Sequence, residues 1–191
     1  QHNTTYYVME YVEGQTLDRY IRTKGRLPEE EAFSLFREIA QAVDYMHQAR
    51  MLHLDLKPSN VMLRSDHRIQ LIDFGLSKQF HAEGEPESST SVGLGTPGYA
   101  PLEQANFKKG GAFPATLDVY ALGATLFKML CGMAPPAASE VLEYGLPQET
   151  LQEANVSAWA ISVLTKAMSP ARKNRYQSVS ELLEAFDQQP P

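Results

Sequence analysis

Apolar residues recur every three to four positions at Phe33, Phe36, Ala40 and Val43, with His47 closing the series. That is the spacing of one face of a long amphipathic helix. Pro28 suits a first helical position, and Glu29, Glu30 and Glu31 load the first turn with the negative charge a helix start favours. Upstream, Tyr6-Tyr7-Val8-Met9-Glu10-Tyr11-Val12 is rich in β-branched and aromatic side chains and runs into Glu13-Gly14, which predicts a strand and then a turn. Residues 16–23 predict a short helix closed by Lys24-Gly25.

Between residues 51 and 78 the period changes. Short apolar pieces at 60–63 and 69–72 flank a polar turn at 64–68, predicting a two-stranded ribbon. Residues 79–98 hold Gly84, Pro86, Ser88, Ser89, Thr90, Ser91, Gly93 and Gly95 and read as a long loop. From residue 115 helical patterns dominate: a uniformly apolar, buried helix at 116–131, then helices at 157–168 and 179–186, then a frayed tail at 188–191. The predicted fold class is mainly α with a few short β-strands.

Composition narrows this picture. At 191 residues the chain is long enough for one domain with a substantial core. The net charge is −6 and no Lys/Arg cluster stands out, so a nucleic-acid partner is not indicated. Cys131 is the single cysteine; an intrachain disulfide is excluded, a reducing, cytoplasmic setting is expected, and a small buried side chain is the plain reading of the thiol. No apolar run is long enough to cross a bilayer: the longest, near 119–133, is broken by Lys128 and two glycines. The first residues show no basic-then-apolar pattern of a signal peptide, and the sequence shows no internal repeat. Gln1 is not an initiator methionine, so the chain is expected to be a piece of something longer.

The candidate chemistry lies in His53-Leu54-Asp55-Leu56-Lys57-Pro58-Ser59-Asn60, followed by Asp73-Phe74-Gly75. Asp55 suits a proton acceptor, Lys57 a charge neutraliser, and Asn60 and Asp73 offer hard oxygen ligands for Mg2+. Each motif alone is weak, because Asp, Asn and Gly are common in turns. The ordered series carries the weight. Met9-Glu10-Tyr11-Val12 comes first, then Asp55, Lys57, Asn60 and Asp73-Phe74-Gly75. Gly95-Thr96-Pro97-Gly98-Tyr99, Glu103, Asp118 to Gly123, Arg172 and Arg175 follow.

This series resembles the catalytic domain of eukaryotic-type protein serine/threonine kinases, from the last strand of the small lobe onward. The resemblance implies a hinge at residues 1–14, a large lobe at 15–187 within an α+β parent fold, and a tail at 188–191. It implies that Asp55 is the catalytic base, that Lys57 contacts the γ-phosphate of ATP, and that Asn60 and Asp73 hold Mg2+. Thr96 would bridge Asp55 and Lys57; with Lys57 it favours Ser/Thr over Tyr substrates. Met9 matches the gatekeeper, the backbone groups of Glu10 and Val12 the adenine-binding hinge, and Met62 the floor under the base. His53 would stack on Phe74, Asp118 would brace the catalytic loop, and Glu103 would pair with Arg175. Plainer readings stand beside these: Met62 as core packing, Asn60 as a turn former, Asp118 as a helix cap.

Two departures matter. The Gly-rich loop, the strand lysine and the helix glutamate of the family are not in this sequence, so a floor without a roof is expected to bind ATP weakly. The edge around Tyr6, Val8 and Val12 would then be open to self-association. Leu54 replaces the family's arginine and cannot bind a loop phosphate, so control through Ser88, Ser89, Thr90 or Ser91 is expected to be weak. The expected function is transfer of phosphate from Mg-ATP to a protein Ser/Thr hydroxyl. The rivals are a pseudokinase binding module and a small-molecule phosphotransferase of related fold.

Overall fold

The computed structural model describes residues 10–66, 68–73, 78–79, 95–105 and 113–188. In chain order these form β1 (Gly14–Thr16), α1 (Leu17–Lys24), α2 (Glu29–Gln48) and β2 (Met51–Leu52). A 3-10 turn (Pro58–Asn60) leads into β3 (Val61–Arg64), β4 (Ile69–Leu71) and β5 (Lys78–Gln79). The helices α3 (Leu102–Ala105), α4 (Thr116–Cys131), α5 (Ala138–Tyr144), α6 (Gln148–Glu153), α7 (Ala158–Ala167) and α8 (Val179–Asp187) follow. The chain is mainly α with a few short strands, as its pattern predicts.

Local chemistry explains several helix ends. Thr16 Oγ1 accepts from Arg19 N at 3.2 Å and starts α1; Leu17 and Ile21 are the face that α1 buries. Ser157 Oγ accepts from Ala160 N at 3.2 Å and starts α7, while its own N–H and hydroxyl donate to Glu29 at 2.9 and 2.5 Å. One polar cap therefore joins the N-termini of α2 and α7. Pro28 stands one residue outside α2, with ψ of 145°, and makes no side-chain cap. Its fixed φ suits either position, and helix bounds shift by a residue easily.

The core forms around α4, which is buried on nearly every side from Thr116 to Leu130. A helix apolar all round must be enclosed, and α2, α7 and α8 pack against it. Phe33, Phe36, Trp159 and Phe186 join α2, α7 and α8 with ring centroids 4.7–5.3 Å apart. Among the described residues no helix is long and apolar enough to cross a membrane.

The strands differ from expectation. Residues 10–13 carry no strand, and Tyr11 is 87% exposed. Residues 6–9 of the expected strand lie outside the described residues; a strand does begin at Gly14, where the sequence suggests a turn, and pairs antiparallel with β3 (Gly14 opposite Arg64, Thr16 opposite Met62). Gly14 has φ of 145°, and a Cβ there would lie 2.1 Å from Leu63 O. Only glycine permits that approach, so the residue read as a breaker admits a third strand. The sheet order is β1-β3-β4, and the expected ribbon is its β3–β4 half. Asn60 lies in the 3-10 turn rather than in the strand. A second pair, β2 with β5, sets Met51 opposite Gln79, so the segment read as a loop opens with a paired residue. The short helices α3, α5 and α6 carry too few turns to show periodicity in the sequence.

Candidate active site

The chain leaves β2 and turns through His53 and Leu54, both buried, into Asp55. Leu54 has φ of 64°, a left-handed conformation costly for a residue with a branched side chain. Two neighbours hold it. Its N–H donates to Asp118 Oδ1 at 2.9 Å, and its carbonyl accepts from Gln104 Nε2 at 2.7 Å. Asp118 Oδ2 accepts the His53 N–H at 2.8 Å and lies 2.8 Å from His47 Nε2.

Asp118 is fully buried in the first turn of α4, and Ala115 holds the N-cap position. The plain reading of Asp118 as a cap is therefore replaced: its carboxylate is spent on the loop before Asp55. Burial alone would push this carboxyl up. The His47 ring and the amides of His53 and Leu54 outweigh burial and hold it below the usual carboxylate range. Burial pushes the His53 imidazole down, against the pull of Asp118, Asp55 and Asp73.

Asp55, Lys57 and Thr96 close a triangle. Lys57 Nζ donates to Asp55 Oδ2 at 2.7 Å and to Thr96 Oγ1 at 2.8 Å, and Thr96 Oγ1 donates to Asp55 Oδ1 at 2.8 Å. Asn60 Nδ2 donates to the Asp55 carbonyl at 2.9 Å and to Asp55 Oδ2 at 3.2 Å. The side chains of Lys57, Thr96 and Asn60 thus converge on the Asp55 carboxylate. Thr96 follows Gly95, whose φ of 70° and absent Cβ let the segment turn; a Cβ would lie 2.5 Å from Ala100 Cβ. The Thr96 carbonyl accepts from Tyr99 N and Ala100 N at 3.0 and 3.1 Å, closing that turn.

Asp73 is exposed, with φ of 60°. It stands next to Ile72, whose N–H donates to the Asn60 carbonyl at 2.9 Å. The backbone thereby brings the two candidate metal ligands together. Among the described residues no group of three or more His, Cys, Asp or Glu side chains forms a metal cage. One amide oxygen and one or two carboxylates fit Mg2+, which retains waters and shares its coordination with phosphates.

On the adenine side, Glu10 is exposed and Val12 half-buried. Met62 sits at the centre of the sheet, between Thr16 and Gln70. Its neighbours Val61 and Leu63 join the core, and Met62 does not. Alternation along the strand turns Met62 to the other face, which removes the core-packing reading. Met9, Phe74, Tyr6, Val8 and the hydroxyls Ser88, Ser89, Thr90 and Ser91 lie outside the described residues.

Behind the site, Arg175 Nη1 and Nη2 donate to Glu103 at 2.5 and 3.2 Å. The Arg175 side chain is fully buried and that of Glu103 is 27% exposed. Leu54 packs into an apolar cluster with Leu52 and Leu117, against Phe113 and Ala115.

Sequence reading missed two contributors. His47 continued an apolar series, and a polar residue on a buried face was the signal that it needed a partner. Gln104 carried no signal.

The model of the protein kinase domain matches residues 1–186. The chain belongs to the protein kinase family. It is 32% identical to the serine/threonine-protein kinase PknB of Mycobacterium leprae, over 97% of this chain and 31% of that protein. It is equally similar to PknB of Mycobacterium tuberculosis, at 32% over 93% of this chain and 29% of that protein. Serine/threonine-protein kinase PknA of a Nostoc species is 32% identical over 97% of this chain and 33% of its own length. The chain therefore spans about three-tenths of the length of these curated relatives.

Proposed function

We propose that this kinase chain supplies the large-lobe half of a site that moves the γ-phosphate of ATP to a protein Ser or Thr hydroxyl. The observation that carries the reading is the closed triangle of Asp55, Lys57 and Thr96. It unites a base, a cation and a hydroxyl from segments far apart in the chain. In this reading residues 1–14 are the hinge and 15–187 the large lobe.

Asp55 orients the substrate hydroxyl and takes its proton as the oxygen attacks the γ-phosphorus. The bond from that phosphorus to the β–γ bridging oxygen breaks, and ADP leaves. Lys57 balances charge on the transferring group, and Thr96 holds Asp55 and Lys57 in register. Asn60 and Asp73 would hold Mg2+, which supplies charge neutralisation at the phosphates. Backbone groups of Glu10 and Val12 and the side chain of Met62 would seat the adenine. Leu54, packed among apolar neighbours, supports activity that does not wait for loop phosphorylation.

The test is phosphate transfer by the full-length gene product onto a Ser/Thr protein substrate. Asp55→Asn should lower kcat by at least about 100-fold while ATP binding persists. Wild-type protein that binds ATP and transfers nothing would establish the binding-module alternative instead.

A further inference from the structure

The side chain of Gln104 is polar, 3% exposed, and the proposed chemistry does not use it. It lies immediately after Glu103, which Arg175 anchors, and its own N–H donates to the Pro101 carbonyl at 3.0 Å. Its position is thus fixed from behind. Its amide reaches forward between two segments. Nε2 donates to Leu54 O at 2.7 Å, and a Cβ on Gly95 would lie 3.0 Å from that same nitrogen.

We propose that Gln104 is a positioning residue for Asp55. The Leu54 carbonyl belongs to the peptide plane that joins Leu54 to Asp55, so fixing that oxygen fixes the plane from which the Asp55 side chain departs. Leu54 is left-handed at φ of 64°, a conformation that relaxes unless neighbours hold it. Asp118 restrains its N–H and Gln104 its carbonyl. The Asp118 contact comes from the helical core. The Gln104 contact comes from the segment that also carries Thr96. Gln104 therefore ties the segment bearing Thr96 to the backbone beneath Asp55, and the side-chain triangle depends on both ends of that tie. The required chemistry is specific: a donor at the position of Nε2, facing a carbonyl.

This inference rests on the proposed phosphotransfer, and the experiment separates the two. Wild type, Asp55→Asn, Gln104→Met and Gln104→Glu are compared in the full-length gene product. Gln104→Met keeps the volume and removes the donor. Gln104→Glu keeps the shape; its carboxylate repels the Leu54 carbonyl, whereas its protonated form donates to it. A misplaced base affects the chemical step, so Gln104→Met should lower kcat roughly 10- to 100-fold, with the KM for ATP changed less than about threefold. Gln104→Glu should regain activity relative to wild type as pH falls, and Gln104→Met should not. A purely structural role would lower the melting temperature of Gln104→Met and leave kcat per folded protein at the wild-type value. Inactive wild type would overturn the proposed function. Active wild type with inactive Asp55→Asn, but with both Gln104 variants at wild-type kcat, would overturn the role of Gln104 alone. Loss of activity in Gln104→Glu that is unchanged across pH would also overturn it.

Discussion

Arg175→Ala should be among the most damaging single changes in this domain. The guanidinium makes five hydrogen bonds: two to Glu103, and one each to the carbonyls of Ser169, Thr116 and Pro170, at 2.5–3.2 Å. It also lies 5.1 Å from the centre of the Tyr120 ring. Removing one partner of a buried ion pair costs about 3–5 kcal/mol, because the other charge is stranded. Glu103 is 27% exposed and regains some hydration, which lowers that cost. Three carbonyls losing a donor raise it again. A loss of about 4 kcal/mol results, and at ~2–4 °C per kcal/mol for a domain of this size the melting temperature should fall by about 8–16 °C. Glu103→Gln should also cost about 3–5 kcal/mol, since it leaves the fully buried Arg175 cation without its counter-charge, although Arg175 keeps its carbonyl acceptors. Thermal and denaturant unfolding measure both. A fall in Tm below about 3 °C for Arg175→Ala, with an unchanged m-value, would refute the reasoning.

Three further outcomes are expected. Gly123→Ala should destabilise the domain by about 1–3 kcal/mol, because a Cβ there would lie 2.8 Å from Met168 Cγ and 2.9 Å from Ala167 Cβ; a neutral denaturation midpoint would show that α4 and α7 can separate freely. Leu54→Arg should cost at least about 3 kcal/mol rather than restore phosphate control, since the site is 3% exposed and apolar; wild-type stability would contradict this. Burial holds His53 below its ordinary value of 6.5, so the unfolded chain binds that proton more readily. The stability from neutral His53 is complete above about pH 6.5 and is lost as pH falls from there through the folded value. Wild type should lose stability between about pH 7 and pH 5 more steeply than His53→Asn, and equal slopes of midpoint against pH would count against it.

The helices were legible in the sequence because their signals act locally: Glu29–Gln48 shows apolar spacing, Thr116–Cys131 a nearly unbroken apolar stretch closed by Gly132, and Val179–Asp187 a start at the Ser178 cap. The residues of the site were legible by type and order, since phosphoryl transfer restricts which side chains can serve as base, cation and metal ligand. What each neighbour does was decided in three dimensions. Asp118 could have been a cap until its carboxylate was found beneath His53 and Leu54. Met62 could have been core until the sheet turned it away from Val61 and Leu63. Gly14 read as a breaker, and became a strand residue because a carbonyl of β3 leaves no room for a Cβ. Gln104 had no local pattern to betray it. Its amide acquires meaning only where chain segments far apart in sequence close on one buried carbonyl, and the cost of leaving such a group unpaired is set by burial, which no local window of sequence contains.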